Sequence, residues 1–142
     1  MSVRTSTRFR RERAAVPSAR AFVTLALRAA GVADDTVERL ELATAEACNN
    51  VVFHASGPTF IVDVAIDDDR AVVRVTDEGA GFVPVQHPVM PPPLAVGMRG
   101  IPLMEALVEH VDVSSGSGGT TVLLDQSLDG AAGREATLVG EM

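Results

Sequence analysis

The chain has 142 residues, of which 46% are hydrophobic and 22% are charged, and its net charge is −7. This length is typical of one globular domain that buries roughly 68–70% of its unfolded surface, so wholesale disorder is excluded. No apolar run approaches the roughly 20 residues that a membrane-spanning helix needs. The apolar stretch Ala21–Leu27 is interrupted by Arg28, and no small-residue cleavage site follows before Asp34. We therefore expect a cytoplasmic protein without a membrane span.

Charge is unevenly distributed along the chain. Residues 1–30 contain seven Arg and one acid, whereas the remainder contains five Arg and eighteen acids. The strongly acidic composition after residue 30 argues against a nucleic-acid partner, because nucleic-acid binding requires a basic face. The chain contains no Lys, which excludes a P-loop lysine, a Schiff base and a catalytic kinase lysine. The single Cys48 excludes an intramolecular disulfide and a zinc site built on cysteines.

The hydrophobic pattern predicts three helices and five strands. They are, in chain order, a strand at Thr5–Arg13, a helix that begins near Pro17 and ends before Gly31, a helix from Asp34 or Asp35 to near Ala55, strands at Thr59–Ile66 and Ala71–Thr76, a helix at Ile101–Val108, and strands at Val111–Ser114 and Thr120–Gln126. Asp77–Arg99 is rich in Gly and Pro, which is typical of a lid or binding loop. We expect a domain at residues 1–127 and a loosely ordered tail at 128–142. The order predicts an α+β two-layer sandwich with helices on one face of a mixed sheet.

The first two helices carry the clearest apolar spacing. In the first helix the apolar residues at helical spacing are Phe22, Val23, Leu25, Ala26 and Ala29. In the second helix one apolar face is formed by Val37, Leu40, Ala43, Ala47 and Val51, and both Asp34 and Asp35 are residue types suited to its N-cap.

The second helix also carries a line of polar side chains. Glu46, Asn50 and His54 follow one another at intervals of four residues and therefore share a face. An amide oxygen is a suitable ligand for Mg²⁺, and a carboxylate can accept a proton from an attacking hydroxyl. By itself the triplet is also typical of a solvated polar face, which is the commoner case.

Three glycine-containing segments follow. Asp77-Glu78-Gly79-Ala80-Gly81-Phe82 comes directly after a strand, where two glycines allow close backbone approach to a ligand. Gly97-Met98-Arg99-Gly100 precedes a helix, and the N-terminus of a helix is suited to anions. Gly119-Thr120-Thr121 opens the last strand. Alone, the Asp77 segment is a weak signal, the Gly97 segment is equally typical of an ordinary turn, and a turn entering a Thr-rich strand fully explains the third segment.

The combination is more specific than its parts. Together the motifs resemble those of the GHKL (Bergerat-fold) ATP-binding superfamily. The N box corresponds to Glu46–Asn50 with His54, the two glycine boxes to the Asp77 segment and to Gly97–Gly100, and the closing Thr motif to Gly119-Thr120-Thr121. Within it the chain is similar to the small anti-sigma-factor serine kinases of the RsbW and SpoIIAB type. The motif-bearing region spans most of the chain, and no His-bearing dimerisation helices precede it. Pro17–Val23 also resembles the first helix of that branch.

The resemblance implies a role for each matching residue. Glu46 would be the base for a serine hydroxyl, and Asn50 would be the Mg²⁺ ligand. Asp77 would read adenine, and the other expected nucleotide contacts are His54, Gly79, Gly81, Phe82, Gly97, Arg99, Gly100 and Thr120. Arg20 would face a protein partner. Two residues separate Gly97 from Gly100, where the best-known members of the family have one.

The resemblance implies a bacterial stress-response regulator with ATP and Mg²⁺ as cofactors. It would phosphorylate a serine of a small STAS-domain antagonist, capture a sigma factor and act as a homodimer, without contacting nucleic acid or membrane. The alternative is a module of the same fold that sequesters its partner without nucleotide. An ATPase without a protein substrate is a third, less favoured hypothesis, since so small a chain offers little machinery to which hydrolysis could be coupled. The gene neighbourhood would help to distinguish these hypotheses.

Overall fold

The computed structural model describes residues 2–79, 100–116 and 119–128. Its elements are, in chain order, β1 (Val3–Arg10), α1 (Ala15–Ala29), α2 (Asp34–His54), β2 (Thr59–Ile66), β3 (Arg70–Asp77), α3 (Gly100–Leu107), β4 (His110–Gly116) and β5 (Gly119–Ser127). All eight predicted elements are present, and the bounds of β2 match the prediction. The predicted loop of residues 77–99 lies outside the described residues, except for Asp77, Glu78 and Gly79.

The five strands form one sheet in the order β1-β2-β3-β5-β4. The α+β class is confirmed, but all four strand pairings are antiparallel, so the expectation of a mixed sheet was wrong at this point. The reason lies in the last hairpin. β3 and β4 run parallel and are linked through α3, as in a helical crossover, but β5 returns between them and pairs antiparallel with both.

The core lies between the helices and one face of the sheet. Strands β2 and β3 alternate along their length, and their inward side chains from Phe60 to Ile66 and from Ala71 to Asp77 are buried. On α1 the buried residues follow at intervals of four, and they are Ala15, Ala19, Val23 and Leu27. Leu25 is 69% exposed, because it is about 200° around the helix from Val23 and therefore lies on the outer side.

Helix α2 is buried over much of its surface. All five residues of its predicted apolar face are buried. Its N-cap is Ala33, which makes no side-chain cap hydrogen bond, and Asp34 and Asp35 lie in the first turn. The expected aspartate cap was therefore wrong, although both carboxylates still lie where the helix dipole favours negative charge.

The two ends of the described fold differ slightly from the prediction. β1 ends at Arg10 rather than Arg13, because the chain turns there towards α1. Leu128 was expected to begin the tail, but it is 2% exposed and its N–H donates to the Asp69 carbonyl at 2.7 Å. The packed part of the chain therefore extends at least to Leu128. Residues 129–142 lie outside the described residues.

Candidate nucleotide site

The polar line on α2 occupies three successive turns of the helix. Glu46 and Asn50 are partly buried, whereas His54 is exposed and is the last residue of the helix. Cys48, which lies between Glu46 and Asn50 in the sequence, is fully buried, and this burial raises the pKa of its thiol to about 12. The thiol is therefore protonated at neutral pH and is not a candidate nucleophile or metal ligand.

The first turn of α3 lies against Glu46. A Cβ atom placed on Gly100 would be 2.9 Å from Oε1 of Glu46, so a side chain at Gly100 would meet the carboxylate. At the other end of α3, Nη1 of Arg39 donates to the Leu107 carbonyl at 2.9 Å. Arg39 and Glu46 are seven residues apart on α2, as Gly100 and Leu107 are on α3. The two helices therefore run antiparallel over two turns, and this register sets the α3 N-terminus beside Glu46.

Asp77 is the last residue of β3 and is fully buried. Its Oδ1 accepts a hydrogen bond from the Gly79 N–H at 2.9 Å. Its Oδ2 is buried and has no hydrogen-bond partner among the described residues. A buried carboxylate oxygen without a partner is costly, and it is the acceptor that an amine of a bound ligand would satisfy.

Glycines pack tightly around the Asp77–Gly79 segment. The backbones of Gly57 and Gly79 touch, so that a Cβ on either residue would overlap the other. Gly119 has φ +121° and lies against the Asp77 carbonyl, where a Cβ would also overlap. Close backbone approach of this kind requires glycine. Three chain segments therefore converge at the end of β3 where the carboxylate lies.

Thr120 is next to this cluster. The β3–β5 register pairs Thr76 with Thr121, which places Thr120 beside Asp77 at the following step of the ladder. The Oγ1 of Thr120 shares a hydrogen bond with Oγ of Ser115 at 2.8 Å. The structure therefore brings together Asp77, Gly79 and Thr120 among the predicted residues, and Glu46 and Gly100 as a second pair.

Glu78 is held on the other side of the same segment. It makes a two-point ion pair with Arg8 of β1, at 2.8 and 3.0 Å, and it accepts a 2.7 Å hydrogen bond from Thr59. The hydrogen bonds from Arg8 and Thr59 lower the pKa of the Glu78 carboxyl to about 2. Glu78 therefore remains ionised across the physiological range.

The remaining predicted residues fall into two groups. Gly81, Phe82, Gly97 and Arg99 lie outside the described residues. Arg20 is on α1, where its guanidinium pairs with Oε2 of Glu41 on α2 at 2.9 Å and stays 39% exposed.

The described part of the chain contains neither a cluster of metal-binding side chains nor a helix that could span a membrane. Within residues 2–79, 100–116 and 119–128, no group of three His, Cys, Asp or Glu side chains could hold a metal ion. Mg²⁺ bound with phosphate needs few protein ligands, and the amide oxygen of Asn50 near Glu46 fits that mode. None of the helices in the described part is long and apolar enough to span a bilayer.

Sequence reasoning missed four residues that shape this site. Gly57 was not singled out, and Arg8, Arg11 and Arg39 were counted only as charge. The contacts of Arg8 with Glu78, of Arg11 with Val52 and of Arg39 with Leu107 join residues that are 70, 41 and 68 positions apart. Local periodicity contains no signal for such pairs.

The comparisons agree with this geometry. A sequence profile described as a histidine kinase-like ATPase domain matches residues 9–125. The chain is 34% identical over 113 residues to the serine-protein kinase RsbW of Bacillus velezensis and 35% identical over 113 residues to that of Bacillus subtilis. Each alignment covers 70% of this chain and 70% of the relative.

A solved structure supports the same fold. The crystal structure of the RsbU and RsbW domains of Rv1364c from Mycobacterium tuberculosis superposes with a TM-score of 0.68 at 21% sequence identity. The superposition covers 87% of this chain and 32% of the longer one, so this chain spans about a third of that protein. Taken with the sequence relatives, the chain belongs to the histidine kinase-like ATPase (GHKL) domain family, in the branch of the RsbW proteins.

Proposed function

We propose that this chain binds Mg·ATP and transfers the γ-phosphoryl group to a serine of a small antagonist protein. The observation that carries the proposal is the buried Oδ2 of Asp77, which has no partner among the described residues and lies in the glycine cluster. The exocyclic amine of adenine would donate to this oxygen, and Gly79 and Thr120 would line the same pocket. Relatives named serine-protein kinases support the reaction class.

The phosphate end of the nucleotide would lie at the N-terminus of α3. The free backbone N–H groups of a helix N-terminus favour anions, and Gly100 leaves the approach to Glu46 free of a side chain. Gly97 and Arg99 would complete the phosphate contacts, and His54, Gly81 and Phe82 would make further nucleotide contacts. Mg²⁺, held by Asn50 and the phosphates, would neutralise charge on the transferred group.

Glu46 would accept the proton of the attacking serine hydroxyl. The bond from the serine oxygen to the γ-phosphorus forms as the bond from that phosphorus to the β,γ-bridging oxygen breaks, and ADP leaves. Positioning and charge neutralisation supply most of the catalysis in such transfers. The close placement of Glu46 and the first turn of α3 is consistent with a base beside the phosphate end.

The proposed partners are those that the family resemblance implies. The substrate would be a STAS-domain antagonist, and the same protein would capture a sigma factor as a homodimer in the cytoplasm. Arg20 would contact a partner from α1, because its guanidinium is still partly exposed beside Glu41. We also propose that the catalytic domain ends close to Leu128.

The test is a phosphotransfer assay with radiolabelled ATP, Mg²⁺ and a purified STAS-domain antagonist of the proposed class. Glu46→Gln should abolish label on the antagonist while ATP binding remains, and Glu38→Gln, an exposed glutamate two turns earlier on α2, should leave transfer unchanged. If Glu46→Gln transferred as much label to the antagonist as the wild type, Glu46 would not be the general base. Partner capture with neither ATP binding nor transfer would favour a sequestering module instead.

A further inference from the structure

Arg11 anchors the connection between α2 and β2. Its guanidinium donates through Nε to the Gly57 carbonyl and through Nη1 to the Val52 carbonyl at 2.8 Å, and its backbone N–H donates to the Pro58 carbonyl at 2.9 Å. Val52 is in the last turn of α2, where carbonyls lack helical partners and attract positive charge. One side chain therefore fixes the end of the helix and the loop that follows.

This loop supports the Asp77–Gly79 segment. The Gly57 backbone, which Arg11 holds, touches the backbone of Gly79. The N–H of Gly79 in turn holds Oδ1 of Asp77. Arg11 is therefore linked to the Asp77 carboxylate through three consecutive contacts. A shift of the loop would move Gly79 and rotate the carboxylate.

Arg8 holds the same segment from the sheet. Its two-point ion pair fixes Glu78, the residue between Asp77 and Gly79. Planar two-point arginine–carboxylate pairs restrain direction as well as distance. Arg8 is 62% exposed, and exposed pairs contribute little to stability. Its geometric effect on a binding segment can therefore be separated from its effect on folding.

We propose that Arg8 and Arg11 are positioning residues that fix the Asp77–Gly79 segment and thereby set the preference of the site for adenine over guanine. The inference rests on the proposed function. Adenine offers an amine at the position where guanine offers a carbonyl oxygen, and only the amine can donate to a fixed carboxylate. A site built around such a donor rejects the analogue that lacks it. A displaced carboxylate would lose this discrimination, whereas phosphate contacts at α3 would remain.

The experiment measures the dissociation constants of Mg·ATP and Mg·GTP for four proteins by calorimetry. These are the wild type, Arg8→Gln, Arg11→Gln and the control Arg10→Gln, which removes an exposed charge from the same strand. Circular dichroism confirms that each protein is folded at the temperature used. The ratio of the two constants is the readout, because a stability loss in a protein that remains folded does not change it.

We expect the wild type and Arg10→Gln to prefer ATP over GTP by the same factor. In Arg8→Gln and in Arg11→Gln the ratio of the GTP to the ATP dissociation constant should fall at least tenfold. A preference within twofold of wild type in a folded Arg11→Gln or Arg8→Gln variant would overturn the role of that arginine. If Arg11→Gln does not fold, the ratio of dissociation constants measured for Arg8→Gln tests the proposal. A fifth protein carries the exchanged pair Arg8→Glu with Glu78→Arg, and a preference for ATP restored in it would support positioning by the ion pair. A wild type that binds neither nucleotide would refute the proposed function itself, and this inference with it.

Discussion

Replacing Asp77 by Asn should separate ligand binding from folding. Asn has almost the same shape, and its amide oxygen can still accept the Gly79 N–H bond that Oδ1 accepts. Its amide nitrogen then takes the place of Oδ2, the buried atom without a partner in the described part of the chain. The change therefore places a donor where an adenine amine would need an acceptor.

The expected magnitude follows from the lost bond. A hydrogen bond to a charged group contributes about 1.5–3 kcal/mol, so its loss should weaken ATP binding by about 10- to 150-fold. Stability should not fall, because a neutral amide costs less to bury than an unpaired carboxylate oxygen. Calorimetric titration with Mg·ATP measures the first quantity, and urea unfolding of the protein without nucleotide measures the second.

The control is Asp63→Asn, on the neighbouring strand β2. Asp63 accepts a 2.6 Å hydrogen bond from Ser6 at an exposed position, so its replacement should leave ATP affinity unchanged. The account of Asp77 would be refuted if a folded Asp77→Asn protein bound ATP within threefold of wild type. It would also be refuted if Asp63→Asn weakened binding as strongly as Asp77→Asn.

Three further changes test the packing around the site. Gly57→Ala should lower the free energy of unfolding by about 1–3 kcal/mol through overpacking, and it should also weaken ATP binding. Gly31→Ala is the control, because its only strain comes from φ +83°. It should lower the free energy of unfolding by about 1–2 kcal/mol and leave ATP affinity unchanged. Arg39→Ala removes the charged hydrogen bond to the Leu107 carbonyl and should lower stability by about 1.5–3 kcal/mol. Asp35→Ala removes only the exposed ion pair that Asp35 makes with Arg39 at 3.1 Å and should lower stability by about 0.3–0.5 kcal/mol. Glu78→Gln should make the loss of thermal stability between pH 4.5 and pH 2 slightly less steep, because the small contribution of the ion pair with the exposed Arg8 is lost in acid only by the wild type.

The Glu78 carboxyl stabilises the folded protein only while it is ionised. The carboxyl of Glu78 has its pKa lowered from 4.5 to about 2 in the folded protein, so its contribution to stability is present above pH 4.5 and is lost as the pH falls through 2. If thermal stability fell equally steeply between pH 4.5 and pH 2 in the wild type and in Glu78→Gln, this expectation would be contradicted. Equal losses from Gly57→Ala and Gly31→Ala in ATP affinity would contradict the contact with Gly79. Denaturant unfolding that did not distinguish Arg39→Ala from Asp35→Ala would contradict the role of Arg39.

The sequence predicted the elements better than their contacts. Alternation placed β2 correctly at both ends, and helical spacing identified the buried face of α2. Leu25 was misplaced, because an apolar residue at helical spacing can still lie on the outer side of the helix. The insertion of β5 between β3 and β4 follows from long-range pairing, which a local pattern does not encode.

The sequence predicted which residues form the candidate site, but it did not predict the contacts that hold those residues in place. The resemblance identified Asp77, Gly79 and Glu46 as candidates, and their positions at a strand end and on a helix face follow from periodicity. The touching backbones of Gly57 and Gly79 and the loop anchor at Arg11 were not predicted. Both depend on how segments far apart in the chain pack, so only three-dimensional coordinates reveal them.

The most direct test of the central claim is a calorimetric titration of the wild-type protein with ATP, with and without Mg²⁺. The account predicts saturable binding of one ATP per chain that is much stronger when Mg²⁺ is present, and displacement of ATP by ADP. A folded protein that bound no ATP under either condition would contradict the claim that this fold holds a nucleotide at Asp77 and the N-terminus of α3.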